Sequence, residues 1–282
     1  MKVKILVENT KREKQFESEH GLSMYLETDG KKILFDFGRT EKFMRNGRKL
    51  GVAFEEIDFA VLSHGHYDHG NGLPYFLESN EKAMIYMQEK AMGAYFSKTI
   101  GEEGQEDSMH DIGLNETVQK EGYKKRFFLI QKEAKIGEHI SLYSGFLKEK
   151  LAPSINNTLY KKEGERWILD DFQHELAMLI EEQGKYYLFA GCAHNGIVSM
   201  IEQVEKRAGI KVDVVLSGFH LHTSKKGNQV GQEEVKTLGA YLKTMDMTFY
   251  TGHCTGEEEY QQLKEQLGAQ MHSMRTGDEF VF

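Results

Sequence analysis

Three histidines and an aspartate stand close together in Ser63-His64-Gly65-His66-Tyr67-Asp68-His69-Gly70. Imidazole nitrogen and carboxylate oxygen are the usual ligands of zinc and similar divalent ions. In extended backbone His64 and His66 project to the same side, so both can reach one ion. Asp68 and His69 follow directly, and a turn there aims them at a second ion a few ångströms away. Gly65 and Gly70 permit the tight backbone this requires. A metal-bound water has its pKa lowered to about 7, so the chemistry on offer is hydrolysis at neutral pH. The competing reading of the segment is a solvated, His-rich loop.

The elements around the motif read as strands followed by helices. Residues 2–7 alternate and carry Val and Ile, which predicts a strand. Strands at 22–27 and 32–35 flank the Asp29-Gly30 turn signal. Thr40 is placed to cap a helix running to about Leu50. The apolar run 57–62 suits a buried strand ending directly at the motif, at the C-terminal edge where α/β sheets place their chemistry. Residues 89–123, richer in charge and Gly, read as helices with loops; an insertion at about 89–125 covering a site competes there with a solvated excursion.

The second half repeats the logic. Strands are predicted at 176–180, 186–190, 212–216 and 247–250, and helices at 197–206, 233–242 and 257–267. The helix at 197–206 carries Ile197, Met200, Ile201 and Val204 on one face. Two similar halves suggest one α/β domain over residues 1–282, with two mixed β-sheets packed face to face and helices outside.

With 39% hydrophobic and 28% charged residues, the 282-residue chain can bury a large core. A net charge of −8 argues against a nucleic-acid binder and leaves room for a local pocket that takes an anionic small molecule. There is no apolar leader and no run long enough to span a bilayer, so Cys192 and Cys254 are expected as reduced thiols in a cytoplasmic protein.

His-x-His-x-Asp-His at the end of an apolar strand resembles the signature of the metallo-β-lactamase superfamily. Four further segments resemble that family in order and spacing: Ile33-Leu34-Phe35-Asp36-Phe37-Gly38, Leu188-Phe189-Ala190-Gly191-Cys192-Ala193-His194, Ser217-Gly218-Phe219-His220-Leu221 and Tyr250-Thr251-Gly252-His253-Cys254-Thr255-Gly256. Gly-Cys-Ala-His-x-Gly, Gly-Phe-His-Leu and Gly-His-Cys-Thr-Gly together are similar to the branch labelled dihydropterin ribofuranosyl-aminobenzene-phosphate synthase. The resemblance implies a four-layer αβ/βα sandwich and a centre of one or two ions, with zinc first and iron or manganese as alternatives.

Carried over position by position, it implies His64, His66, Asp68, His69 and His253 as metal ligands, with Asp36 supporting the motif loop. Cys192 stands where most members place a metal-bridging Asp, and thiolate is a good soft ligand. His194, two residues on, should point to the same side as Cys192 and is taken as the third His ligand; His174, ahead of the next strand, is its rival. His220 is placed to bind substrate or donate a proton, against the alternative of a core His bonded to backbone. Cys254 should point away from the site as a small buried residue. Asp170 and Asp171 read as supporting or surface groups. Asn195-Gly196, ahead of a helix, could hold an anion on backbone N–H groups or simply start the helix. His20, His110, His139, His222 and His272 read as ordinary surface or core histidines.

The leading expectation is a metallohydrolase acting on a small, anionic substrate, with Asp68 accepting a proton or fixing the second ion and His220 stabilising a developing charge. A synthase of the branch type and a non-enzymatic metal sensor or redox module hooked on Cys192 are the alternatives. No nucleic-acid or membrane partner is expected.

Overall fold

The structure, a computed structural model, describes residues 1–99, 106–223 and 229–282. The first half runs β1 (Lys2–Val7), β2 (Ser23–Thr28), β3 (Lys31–Phe35), α1 (Lys42–Lys49), β4 (Phe59–Val61), α2 (Tyr67–Gly70), α3 (Leu73–Ser79), β5 (Met84–Gln88), β6 (Tyr95–Thr99), β7 (Ser108–Asp111), α4 (Glu121–Lys124) and β8 (Phe127–Ile130). Then follow β9 (Glu133–Ile136), β10 (Ile140–Ser144), β11 (Leu159–Glu163), β12 (Arg166–Leu169), β13 (Leu176–Glu182), β14 (Lys185–Phe189) and α5 (Ile197–Ala208). The chain ends with β15 (Val214–Leu216), α6 (Gln232–Lys243), β16 (Thr248–Thr251), α7 (Glu257–Leu267), β17 (Met271–Ser273) and β18 (Glu279–Val281).

Two seven-stranded sheets, β18-β1-β2-β3-β4-β5-β8 and β17-β16-β15-β14-β13-β10-β9, carry the architecture. Each is antiparallel at one end and parallel at the other: β3, β4, β5 and β8 run parallel in the first, and β14 to β17 in the second. Parallel strands need both faces covered, which explains the unbroken apolar runs in β4 and β15. The alternation in β3 shows how the layers are built: Ile33 and Phe35 enter the core between the sheets, where Phe35 and Phe189 meet at 6.1 Å. Leu34 faces the other way, into a core with Phe43, Leu73 and Phe76 under α1 and α3. A third core joins Leu188 and Val215 to Ile197, Ile201, Leu238 and Leu263 of α5, α6 and α7. Three cores between four layers make the αβ/βα sandwich.

Helix α5 buries the apolar face its 3.6-residue spacing predicts and stops at Gly209, whose left-handed backbone ends it. Helix α1 starts at Lys42, later than a Thr40 cap would place it, and Glu41 at its N-cap makes no side-chain cap bond. The Thr40 hydroxyl donates to Glu19 at 2.6 Å, and its oxygen accepts from the Lys42 N–H at 3.3 Å, as a capping threonine does. Residues 89–123 also depart from expectation. Besides single turns at Glu89–Met92 and Glu121–Lys124, they hold strands β6 and β7. Strand β6 pairs with β7 on one side and with β11, from much later in the chain, on the other, building a third sheet, β12-β11-β6-β7. Residues 101–105 of the acidic Gly-rich stretch lie outside the described residues. Among the described residues no helix is long and apolar enough to cross a membrane.

Candidate metal centre

Every element that carries a candidate ligand ends at the same rim. Asp36 follows β3, His64 to His69 follow β4, Cys192 and His194 follow β14, His220 follows β15 and His253 follows β16. All of these strands present their C-terminal ends there, as the parallel halves of the two sheets require. Asp36, Ala193, His220 and His253 adopt left-handed backbone, with φ of 60°, 55°, 48° and 53°. Such conformations cost roughly 1–3 kcal/mol each on non-glycine residues, and here they turn the chain sharply at the strand ends. Two glycines are needed for close approach: a β-carbon on Gly65 would lie 2.1 Å from the Ala91 carbonyl, and one on Gly191 would lie 2.2 Å from Ser63 Oγ.

The hydrogen bonds fix which nitrogen of each histidine faces inward. Asp36 is wholly buried and accepts from the Ser63 N–H and hydroxyl, each at 2.7 Å. Its Oδ2 also takes the His69 Nδ1–H at 2.7 Å. The same Ser63 oxygen accepts from His64 Nδ1 at 2.9 Å. His194 Nδ1 donates to Asn156 Oδ1 at 3.2 Å, and His253 Nδ1 to Asn9 Oδ1 at 2.9 Å; both amides are oriented by donating to the same histidine's carbonyl. In all four rings Nδ1 holds a proton and Nε2 faces the centre, where it offers a lone pair once the ring is neutral.

Two sets of donors result. In the first, the rings of His64, His66 and His194 stand 4.6, 4.9 and 5.1 Å apart, and all three Nε2 atoms are buried without a hydrogen-bond partner among the described residues. In the second, His69 Nε2 lies 3.1 Å from His253 Nε2 and 3.2 Å from Cys192 Sγ. Asp68 Oδ2 is 3.2 Å from His253 Nε2 and 3.7 Å from His69 Nε2. Ligand atoms around a tetrahedral zinc, each about 2.0–2.3 Å from the ion, stand roughly 3.3–3.8 Å from one another; the 3.7 Å pair lies in that range and the 3.1 and 3.2 Å pairs fall just short of it. Cys192 also falls within ligand distance of His64 and His194, which makes it a shared vertex of both sets. Buried imidazoles without partners are costly unless something binds them.

Electrostatics agree with that use. Burial pushes His66 down to about 3, with His174 adding to the effect. Burial likewise holds His64 and His194 well below the ordinary histidine range, helped by neighbouring imidazoles. These rings are neutral and ready to bind a cation. Burial opposes ionisation of Asp68, but His69 and the hydrogen bond from His253 outweigh it and hold the carboxyl well below its usual range. Burial also works against charge on His253, yet Cys254 and Asp68 prevail and raise it to about 9. Burial pushes the Cys192 thiol well up, with Cys254 adding to the rise. At pH 7 His253 and Cys192 therefore carry protons that a cation must displace. Metal uptake is expected to release about two protons and to tighten as pH rises toward 9. Calorimetry in buffers of different ionisation heat measures this; release of none would remove both residues from the ligand set.

Of the two rivals for the third imidazole, the structure gives His194 the open nitrogen. His174 has both nitrogens engaged, Nδ1 accepting from Gly65 N–H at 3.0 Å and Nε2 paired with Asp170 at 3.1 Å. Asp170 is buried, whereas Asp171 is an exposed partner of Lys161. His220 is buried with neither ring nitrogen hydrogen-bonded among the described residues, so a backbone-bonded core role has no partner here.

Three expectations need correcting. Cys254 does not point away: its sulfur accepts from the His220 N–H at 3.3 Å and lies within 4.8 Å of Cys192 Sγ, because the chain turns tightly at His253–Thr255 instead of continuing extended. The Asn195-Gly196 segment cannot hold an anion. Glu175 already fills that place, accepting from the N–H groups of His194 and Asn195 at 2.7 and 2.9 Å, and Gly196 N–H is spent on Ala193. His20 is no ordinary surface histidine, since its Nε2 lies 3.2 Å from Asp68 Oδ2 and its ring 4.9 Å from His253. His139 and His272 stand away from the site, against Glu181 and Tyr250.

A cavity of about 540 Å³ opens over both donor sets, with His66, Asp68, Cys192, His194 and His220 at its wall. The third sheet supplies another side through Ser97, His110, Asp111 and Leu159. Arg39 lies at the same cavity, exposed, its guanidinium 5.3 Å over the Tyr67 ring and without an acidic partner among the described residues. His222 also borders it. Sequence reasoning passed over Arg39, Asn9, Asn156 and Glu175, which stand in no local pattern.

The family model of the metallo-beta-lactamase superfamily matches residues 19–237. Among curated proteins, the uncharacterized protein MJ0448 of Methanocaldococcus jannaschii is 31% identical over 258 residues, covering 90% of each chain. From the same organism, 7,8-dihydropterin-6-methyl-4-(beta-D-ribofuranosyl)-aminobenzene-5'-phosphate synthase is 29% identical over 277 residues, 93% of this chain and 90% of the relative. Among solved structures, Tm1679, described as a metal-dependent hydrolase of the beta-lactamase superfamily, superposes with a TM-score of 0.80 at 22% identity, over 100% of this chain and 99% of the other.

Proposed function

From the premise that this chain belongs to the metallo-beta-lactamase superfamily, we propose that it is a metal-dependent hydrolase of a small substrate bearing a phosphate or carboxylate. One observation carries the reading: His64, His69, His194 and His253 each have Nδ1 tied to a neighbouring oxygen, and the Nε2 atoms face inward beside Cys192 and Asp68. His64, His66 and His194 would hold one ion; Asp68, His69 and His253 would hold the other, with Cys192 between them. Zinc suits this mixture of imidazole, carboxylate and thiolate, and iron or manganese would occupy it according to supply. Bound there, divalent ions supply Lewis acidity and water activated near neutral pH.

The chain's own groups do the rest. Arg39 anchors the anionic end of the substrate, since its guanidinium presents donors that suit carboxylate or phosphate and has no competing acid among the described residues. Asp68 Oδ2, between His20 and His253, can take a proton from the nucleophile. His220, facing the cavity, donates a proton to the leaving oxygen. The third sheet narrows access for water.

A second reading has its own support. The named relative at 29% identity is a synthase. On that reading the same cavity binds two substrates and joins them, with Arg39 holding a phosphate.

The test is metal analysis with turnover of bis(p-nitrophenyl) phosphate and p-nitrophenyl acetate. A hydrolase gives stoichiometric metal and single-substrate turnover. Arg39→Ala should raise KM for the anionic ester about 10-fold or more with kcat and metal content unchanged. Protein without stoichiometric metal, or without turnover unless a second substrate is added, would overturn the hydrolase reading.

A further inference from the structure

Beside the two histidine-rich sets lies a third cluster that neither uses in full. The donor atoms of Cys192, His220 and Cys254 are all within 4.8 Å of one another, and all three residues are buried. We propose that these residues form a separate site for a soft, thiophilic metal ion of the copper(I) or cadmium(II) class.

His220 supplies the first argument. It is 7% exposed, yet neither ring nitrogen has a hydrogen-bond partner among the described residues. A buried imidazole that lacks every partner is rare unless a ligand completes it. Its left-handed backbone, φ 48°, places its N–H on Cys254 Sγ at 3.3 Å. Room for the sulfur is made by Gly218, where a β-carbon would lie 2.5 Å from Cys254 Sγ. The donor chemistry supplies the second argument. Two sulfurs and one imidazole, with no carboxylate in the cluster, favour soft ions over magnesium or calcium.

The ion displaces any proton the two sulfurs carry, and each displaced proton passes to solvent. Cys192 is the hinge of the arrangement, because its sulfur is also within reach of His64 and His194 and of His69 and His253. A soft ion in the third site draws Cys192 away from the histidine sets, so occupancy of the two places is antagonistic.

The experiment titrates cadmium chloride into the reduced, zinc-loaded full chain without oxygen and reads the thiolate-to-cadmium charge-transfer absorption. The wild type should reach about twice the amplitude of Cys254→Ser, since two thiolates bind in one and a single thiolate in the other. His220→Ala should keep both thiolates and bind cadmium about tenfold more weakly. Equal amplitude and affinity in wild type and Cys254→Ser would overturn the proposal, as would absence of the band from the wild type. Should Cys254→Ser fail to fold by circular dichroism, His220→Ala decides alone, and wild-type affinity in it counts against the site. Zinc measured in the same samples separates the outcomes: zinc retained with a single-thiolate band removes the third site and leaves the histidine centre standing.

Discussion

His66→Ala is expected to abolish turnover, by about a thousandfold or more, and to lower bound metal by about one equivalent, with the fold intact. The expectation rests on what the side chain does not do. His66 is 5% exposed and its Nε2 has no partner among the described residues, so the ring holds no other element in place by hydrogen bonding. Its backbone, in extended conformation at the start of α2, accepts from His69 and Gly70 whatever the side chain is. Removing a buried polar group that lacks a partner relieves a penalty, which offsets part of the lost packing. The melting temperature should therefore move little while metal content and rate fall together. Plasma emission analysis, calorimetric melting and turnover of a phosphodiester measure the three quantities. A variant that keeps its metal and its rate would show that the His64–His66–His194 set is not the reacting centre, and the proposed function would go with it.

Much of this centre is local in sequence. His64, His66, Asp68 and His69 fall within one strand end and one turn, and the apolar run before them marks the buried strand that ends at the rim. Strand β1 and helix α7 match the spans read from the sequence, although β1 is buried on both faces from Val3 to Val7 where alternation is expected. What the sequence did not disclose depends on distant partners. Strand β6 exists by pairing with β11 from much later in the chain, and β7 by pairing with β6, so their polar, Gly-flanked segments read as helices with loops. Glu175 reaches the His194 and Asn195 amides from 19 and 20 residues away, which no helix-start pattern anticipates. Cys254 was misjudged for a different reason: alternation along an extended strand turns neighbours to opposite sides, but His253 is left-handed and the rule stops there. Asn9 and Asn156 orient His253 and His194 from positions with no motif at all.

Asp36 offers the sharper test of how far the support of a ligand governs metal binding. Its carboxylate accepts three hydrogen bonds, each at 2.7 Å, from the Ser63 N–H, the Ser63 hydroxyl and His69 Nδ1. Through Ser63 it also sets His64, so one buried group orients an imidazole in each donor set. In Asp36→Asn the left-handed backbone is tolerated, since Asn shares that preference with Asp. One oxygen can still accept from Ser63 N–H, but the amide nitrogen then faces two donors, the Ser63 hydroxyl and His69 Nδ1–H. His69 must turn or shift its proton to Nε2, and its lone pair no longer points inward. Metal affinity at the His69–His253 set should fall about 10- to 100-fold. Stability should drop by about 1.5–3 kcal/mol, the usual worth of a hydrogen bond to a charged group. Asp36→Ala removes all three acceptors, and it should cost about 3–5 kcal/mol as well as the metal. Chelator competition and denaturant melts separate the two effects. Wild-type affinity in Asp36→Asn, with stability reduced, would mean that the carboxylate holds the loop but does not decide which nitrogen of His69 meets the ion.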